Sequence, residues 1–294
     1  MPKSASHELG EFIGWLLEET FEDSLRKIAK EYNYYIDRKH KRPARKNNIE
    51  VVWIDKYGNK HKLDFVIEKG GTERKFGIPV AFIEIAWRRY SKHAKNKAQE
   101  IQGAVKPLEK TFKRVAPFLG AIIAGDFTKN SIDQLVSQNF NVLFIPIEKI
   151  FEAFKVVNIK AYWGEKTPRP EVAAILEQCR QMNEDDKQKI KEKILELTEN
   201  EKKVFLSSLK NALTRQLSSI RIIPLHGNEY SFVSIENAIS FIEKYQNSTK
   251  FSIIKYELYV LFNNGDEIKA TFHDKESIIE FLQEFSTSYF PDVN

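Results

Sequence analysis

Two carboxylates, Asp64 and Glu84, flank a polar loop that opens at Lys69-Gly70-Gly71-Thr72 and closes near Gly77. The segments on either side, His61 to Glu68 and Ile78 to Ala86, read as strands, so the loop joins a hairpin. Opposed residues of an antiparallel hairpin keep a constant sum, and a loop centred near Arg74 sets Asp64 opposite Glu84. Opposed residues share a face, with Cβ atoms about 5 Å apart. Like charges that close repel and raise a pKa, a cost that a divalent cation between them removes. Mg²⁺ is commonly held by one or two carboxylates together with water and substrate phosphate. There it can activate water and stabilise the charge of a phosphodiester transition state. Glu84 interrupts the apolar run Val80-Ala81-Phe82-Ile83 and Ile85-Ala86-Trp87, where a charge without a partner is unusual.

The elements that must position this pair follow from periodicity. Gly10 to Tyr32 reads as a helix, with Phe12, Trp15, Leu16, Phe21, Leu25 and Ile28 at helical spacing. A basic loop follows, where Pro43 argues against helix. Glu50 to Asp55 reads as a first strand, ending in the turn Lys56 to Lys60, and the hairpin strands come next. A helix from about Lys92 to Lys113 carries an apolar stripe of Ala94, Ala98, Ile101, Val105, Leu108 and Phe112, with a kink expected at Pro107. Leu119 to Ala124 and Asn141 to Ile147 read as buried strands, each followed by a short helix. The expected fold class is α/β, a three-layer core around a mixed sheet.

With this element order, the acid pair and the basic helix after it, the segment from about Gly10 to Phe154 resembles the PD-(D/E)XK nuclease superfamily, which includes many type II restriction endonucleases. The resemblance implies a restriction-endonuclease-like core in which Asp64 and Glu84 ligate Mg²⁺, with the carbonyl of Ile85 as a further ligand. It also implies a glutamate from the first helix, Glu18 or Glu19, with Glu18 taken as the site residue. Two positions depart from the pattern. Leu63 stands where the family has a proline before the first acid, and Ala86 stands where it keeps a lysine. Alanine cannot polarise water, so the charge is expected from elsewhere: Arg88, Lys92, Lys95 or Lys97. Lys95 is preferred because Lys95, Gln99, Gln102 and Lys106 form a polar stripe beside the core stripe.

The 46 Lys and Arg against 41 Asp and Glu give a net charge of +5, which is compatible with phosphate binding without requiring it. Placement says more. Arg38, Lys39, Lys41, Arg42 and Arg45 crowd the loop before the first strand, and Arg88, Arg89 and Lys92 follow Trp87, so these eight are the expected DNA contacts. The lone Cys179 excludes an intrachain disulfide and a Cys-based zinc cluster, and reads as a packing residue. His93 reads as a first-turn helix residue or a general base; His61, His226 and His273 have no second ligand at metal spacing. No phosphate-binding glycine loop, dinucleotide fingerprint or nucleophile elbow occurs.

Three units are expected: a nuclease domain over residues 1–160, a linker and helical connector over 161–217, and a small α+β domain over 218–294 that reads DNA or joins subunits. The last unit carries a weak repeat. Two strand–turn–strand–helix stretches, each with Gly in its turn, align Phe232 and Phe241 with Phe272 and Phe281. No apolar run approaches the roughly 18 residues of a membrane span, and residues 1–8 lack the apolar stretch of a signal peptide, so a cytoplasmic location is the expectation. The expected function is sequence-specific cleavage of double-stranded DNA with Mg²⁺ by a homodimer, with no membrane partner. Two other readings stay open: a repair or junction-resolving nuclease, and a DNA-binding protein on a nuclease fold that no longer cuts.

Overall fold

In the computed structural model, which describes residues 4–225, 227–246 and 255–289, the chain opens on helix α1 (Ala5–Glu31). Ser4 caps it by accepting the N–H of His7 at 3.3 Å. Leu9, Ile13, Leu16, Leu17, Phe21 and Leu25 recur at helical spacing and are fully buried against the sheet. Then come β1 (Tyr35–Asp37), β2 (Val51–Ile54), β3 (Lys60–Leu63), β4 (Phe65–Lys69), β5 (Ile78–Arg88), α2 (Ala94–Thr111), β6 (Phe118–Gly125), α3 (Lys129–Val136), β7 (Asn141–Pro146) and α4 (Ile147–Phe154). The main sheet runs β1-β4-β5-β6-β7, antiparallel among the first three and parallel among the last three. This is a mixed α/β architecture.

The alternation of β5 sorts its two faces. Ile83, Ile85 and Trp87 pack with α1; Phe82 and Ala86, and between them Glu84, face the side of α2 and α3. In the β4–β5 hairpin, Phe65 faces Ile83, Val66 faces Phe82 and Ile67 faces Ala81, which carries on to Asp64 beside Glu84. The loop is centred half a residue earlier than the sequence suggests. A bulge between Ile67 and Glu68 takes up the difference, next to Pro79, which has no N–H for the ladder.

Several expectations are corrected. The strand at Glu50 to Asp55 does not belong to the main sheet. As β2 it pairs only with β3, in a separate two-stranded ribbon. The expected strand from His61 to Glu68 is two strands that part at Asp64, and the sheet edge is taken by β1, three residues long and too short to leave a periodic signal. Pro107 lies inside a continuous α2.

The segment expected to be a connector is part of the core. Helices α5 (Arg169–Gln181), α6 (Glu184–Leu197) and α7 (Glu199–Leu213) bury Val172, Leu176, Cys179, Ile190, Ile194, Phe205 and Leu209 in the same cluster as α1 and the sheet. Narrow apolar stripes on charged helices suffice, because only one face of each is covered. No helix among the described residues is long and apolar enough to cross a membrane.

The remaining strands and helices, β8 (Leu217–Pro224), β9 (Tyr230–Phe232), α8 (Ile235–Lys244), β10 (Tyr256–Phe262), β11 (Glu267–Phe272) and α9 (Lys275–Tyr289), build a second sheet ordered β11-β10-β8-β9. The repeat is structural. Phe232 stacks on Phe241 at 5.0 Å and Phe272 on Phe281 at 5.3 Å, while Ser234 caps α8 through Asn237 N–H and Asp274 accepts Ser277 N–H at the start of α9. His226, in the first turn, lies outside the described residues. This unit meets the core where β6 begins. Arg215 bonds the carbonyls of Val115 and Ala116 and pairs with Asp266 at 2.6 Å.

The basic loop is largely an internal strut, which removes two expected DNA contacts. Arg42 is fully buried, pairing with Asp37 at 2.8 Å and Glu68 at 2.5 Å and bonding the carbonyls of Thr72 and Lys75. Arg45 is buried beside it, 3.3 Å from Asp37, bonding the carbonyls of Arg38 and His40. Buried guanidinium groups cannot reach a phosphate. They tie β1, β4 and the β4–β5 loop together behind the acid pair. Truncating Arg42 strands two buried carboxylates, so Arg42→Ala is expected to cost about 3–5 kcal/mol in chemical denaturation. A loss below about 1 kcal/mol in that measurement contradicts the strut.

Candidate functional site

Asp64 sits where the chain changes partners, after β3 leaves the ribbon and before β4 enters the sheet. Backbone donors at such a break need acceptors, and the two acids supply them reciprocally. Ile85 N–H donates to Asp64 Oδ2 at 2.7 Å, and Asp64 N–H donates to Glu84 Oε1 at 3.2 Å. Among the described residues, Asp64 Oδ1 and Glu84 Oε2 accept no hydrogen bond, which leaves one oxygen of each for a further ligand.

Burial, and then the charge of Asp64, push Glu84 well above the usual carboxylate range. Burial likewise raises Asp64, opposed by the Ile85 N–H and by the charges of Lys97 and Lys39. Glu18, on α1, is pushed up to about 7, first by burial and then by Asp64. The three carboxyls thus share one electrostatic field. Glu18 nevertheless stands off: among the described residues, no three His, Cys, Asp or Glu side chains gather closely enough to hold a metal ion. The donor set is therefore two hard, half-satisfied carboxylates. That fits Mg²⁺, which keeps several of its waters and asks few protein ligands.

Lys97, rather than Lys95, is the lysine that reaches this field. It lowers both Asp64 and Glu84, whereas Lys95 is exposed. The reason is helical phase. Lys97 lies three residues after Ala94 and four before Ile101, both buried, so it borders the face that α2 turns to the sheet. Ala86, also on that face and buried, leaves the room that a larger side chain would fill. The polar stripe that favoured Lys95 serves α3 instead: Gln102 exchanges bonds with Gln134, and Lys106 reaches the carbonyl of Gln138 at 3.2 Å. Glu100 steadies Lys97 at 3.4 Å and Arg88 at 3.3 Å.

Above the acids opens a cleft of about 930 Å³, lined among others by Gly14, Trp15, Glu18, Lys39, Ala86, Arg88 and Lys97. Asp64 and Glu84 are not part of its lining; Ile85, which holds Asp64, is. Lys39 is exposed at its rim, and Arg88 lines it while bonding the Trp87 carbonyl. The other expected contacts are placed differently. Arg38 pairs with Glu22 at 3.0 Å, Lys41 is exposed away from the cleft lining, and Lys92 pairs with Glu165 at 2.5 Å. Arg89 also lines the cleft, with its guanidinium donating to the Trp163 carbonyl amid the rings of Tyr90, Phe151, Tyr162 and Trp163. His61 bonds Asp55, and the side chain of His93 lies outside the described residues.

No protein-family profile, no curated protein and no solved structure matches this chain.

Glu18 supplies a test of the field. Its folded-state value near 7 exceeds the ordinary 4.5, so the folded chain holds this proton more tightly than the unfolded one. The associated stability is fully present below pH 4.5 and is lost as pH rises through about 7. Glu18→Gln is therefore expected to match the parent near pH 4.5 and to exceed it at pH 8, by on the order of 1–3 kcal/mol in metal-free urea unfolding. Parallel stability–pH curves for the two proteins contradict the shift.

Proposed function

We propose that this chain is a Mg²⁺-dependent endodeoxyribonuclease of the PD-(D/E)XK type that cleaves double-stranded DNA at a specific sequence, as type II restriction enzymes do. One observation carries the reading: a buried and a half-buried carboxylate, each using one oxygen to hold the other's strand, lie in the field of a lysine from the facing helix. Two carboxylates this close repel, and a divalent cation between them offsets that repulsion beyond what Lys97 and Lys39 contribute.

Asp64 and Glu84, through Oδ1 and Oε2, are the residues to hold the ion, with the Ile85 carbonyl as a further ligand on the family resemblance. Bound there, Mg²⁺ supplies charge stabilisation at the scissile phosphate and a more acidic water. Lys97 takes over the task of the lysine missing at position 86, as a positioned ammonium donor to the phosphate and the attacking water. Glu18, with its value near 7, is matched to accepting and returning a proton near neutral pH. Lys39 and Arg88, at the cleft, attract the DNA backbone. Cutting both strands takes two such sites, which a homodimer on a palindromic sequence provides.

Digestion of a supercoiled plasmid with Mg²⁺ tests the reading. Asp64→Asn and Glu84→Gln are expected to abolish cleavage and to retain DNA binding. Lys97→Ala is expected to slow cleavage roughly a hundredfold or more, while Lys95→Ala cuts at close to the parent rate. Near-normal cleavage by either acid variant refutes the acid pair, and a fast Lys97→Ala refutes the lysine.

A further inference from the structure

The β2–β3 ribbon belongs to neither sheet, and its two faces differ sharply. Val51, Trp53 and Leu63 are buried in the cluster of α2, with the Trp53 ring edge-on to Phe76, Phe82 and Phe112 at 5.4, 6.2 and 5.6 Å. The other side and the tip face solvent: Ile54 is 53% and Tyr57 76% exposed, and Lys56, Lys60 and Lys62 are exposed too.

The tip is rigid by construction. The carboxylate of Asp55, itself buried, accepts the N–H groups of Tyr57 at 2.8 Å and Asn59 at 2.9 Å, the Asn59 amide at 3.0 Å and His61 Nε2 at 3.0 Å. Lys56 N–H donates to Thr111 Oγ1 at 2.9 Å, pinning the turn to the end of α2. The carboxylate at the turn is thus spent inward. Among the described residues, Lys56, Lys60 and the neighbouring Lys110 have no ion-pair partner, whereas Lys62 pairs with Glu50 at 3.2 Å. A stiff, exposed turn with unpaired ammonium groups around an aromatic ring complements a polyanion, and holding it rigid lowers the entropy lost on docking.

We propose that this tip, through Lys56, Tyr57 and Lys60, is a second DNA contact that grips the phosphate backbone away from the cutting centre. The proposal rests on the nuclease reading for its partner and adds a distance. Strand β3 runs directly from the tip into Asp64. At about 3.3 Å per residue, Lys60 lies at most about 13 Å and Gly58 about 20 Å from Asp64 along the chain. At about 3.4 Å per base pair, the grip falls within about six base pairs of the cut.

The test measures binding of the full chain to a duplex carrying its cleavage site, without Mg²⁺, as a function of salt, together with hydroxyl-radical footprints. For Lys56→Ala/Lys60→Ala, the slope of log affinity against log salt is expected to flatten by roughly two units. Protection on the tip's side, within about six base pairs of the cut, should disappear, with the cut position and the melting temperature unchanged. Lys56→Arg/Lys60→Arg should bind like the parent. An unchanged slope and footprint in the alanine variant overturns the proposal, and so does failure of the arginine variant to bind, or of the parent to bind duplex at all. The nuclease reading is judged separately, by cleavage with the tip variants and with Asp64→Asn. A tip that proves irrelevant leaves cutting intact, whereas failure of the nuclease reading shows as absent Mg²⁺-dependent cleavage in every protein.

Discussion

A change of strand partner at one residue organises this protein. Up to Leu63 the chain pairs with β2 in the ribbon; from Phe65 it pairs with β5 in the sheet; Asp64 belongs to neither ladder. A backbone break inside a sheet leaves polar groups without partners. Here the carboxylates that accept the orphaned N–H groups are, among the described residues, each left with one oxygen that accepts no hydrogen bond. Removing either acid therefore touches both the junction and the site, and the amide variants are the informative ones because they keep the shape.

Much of the surrounding structure holds that junction still. On the α1 side of the sheet, five helices, three of them highly charged along their outer faces, share one continuous core with β5. At the β1 edge, Arg42 and Arg45 bind Asp37 and Glu68 and fasten the β4–β5 loop. On the other side, α2 brings Lys97 to the cleft that Ala86 also lines. The duplicated β8–α9 unit joins the core where β6 begins, and Ile85 to Tyr90, at the other end of the adjacent parallel strand β5, line the cleft.

What was legible in the sequence was whatever repeats with a period. The α1 and α2 stripes, the buried runs of β5, β6 and β7, and the duplication of Phe232 and Phe241 at Phe272 and Phe281 all announce themselves because burial selects apolar residues at fixed spacing. The register beside Glu84 came out through two departures that cancel, a loop centred half a residue early and a bulge at Pro79. What stayed hidden depends on partners distant in sequence. Nothing local distinguishes the buried Arg42 from the exposed Lys41 beside it; the difference is Glu68, 26 residues on. Lys97, one of the four cations named from the sequence, could have been preferred there, since it borders the helical phase of Ala94 and Ile101, while the stripe that favoured Lys95 faces α3.

The central claim is that the Asp64–Glu84 pair exists to hold a divalent cation. Calorimetric titration of Mg²⁺ or Mn²⁺ into the chain at pH 7, repeated in buffers of different ionisation heat, addresses it without any need for the right DNA. Saturable binding coupled to proton release is expected, since burial raises the proton affinity of both carboxyls and the ion competes with those protons. No such binding to Glu84→Gln is expected. Equal heats and equal proton release from the parent and Glu84→Gln, or no binding to the parent, would contradict it.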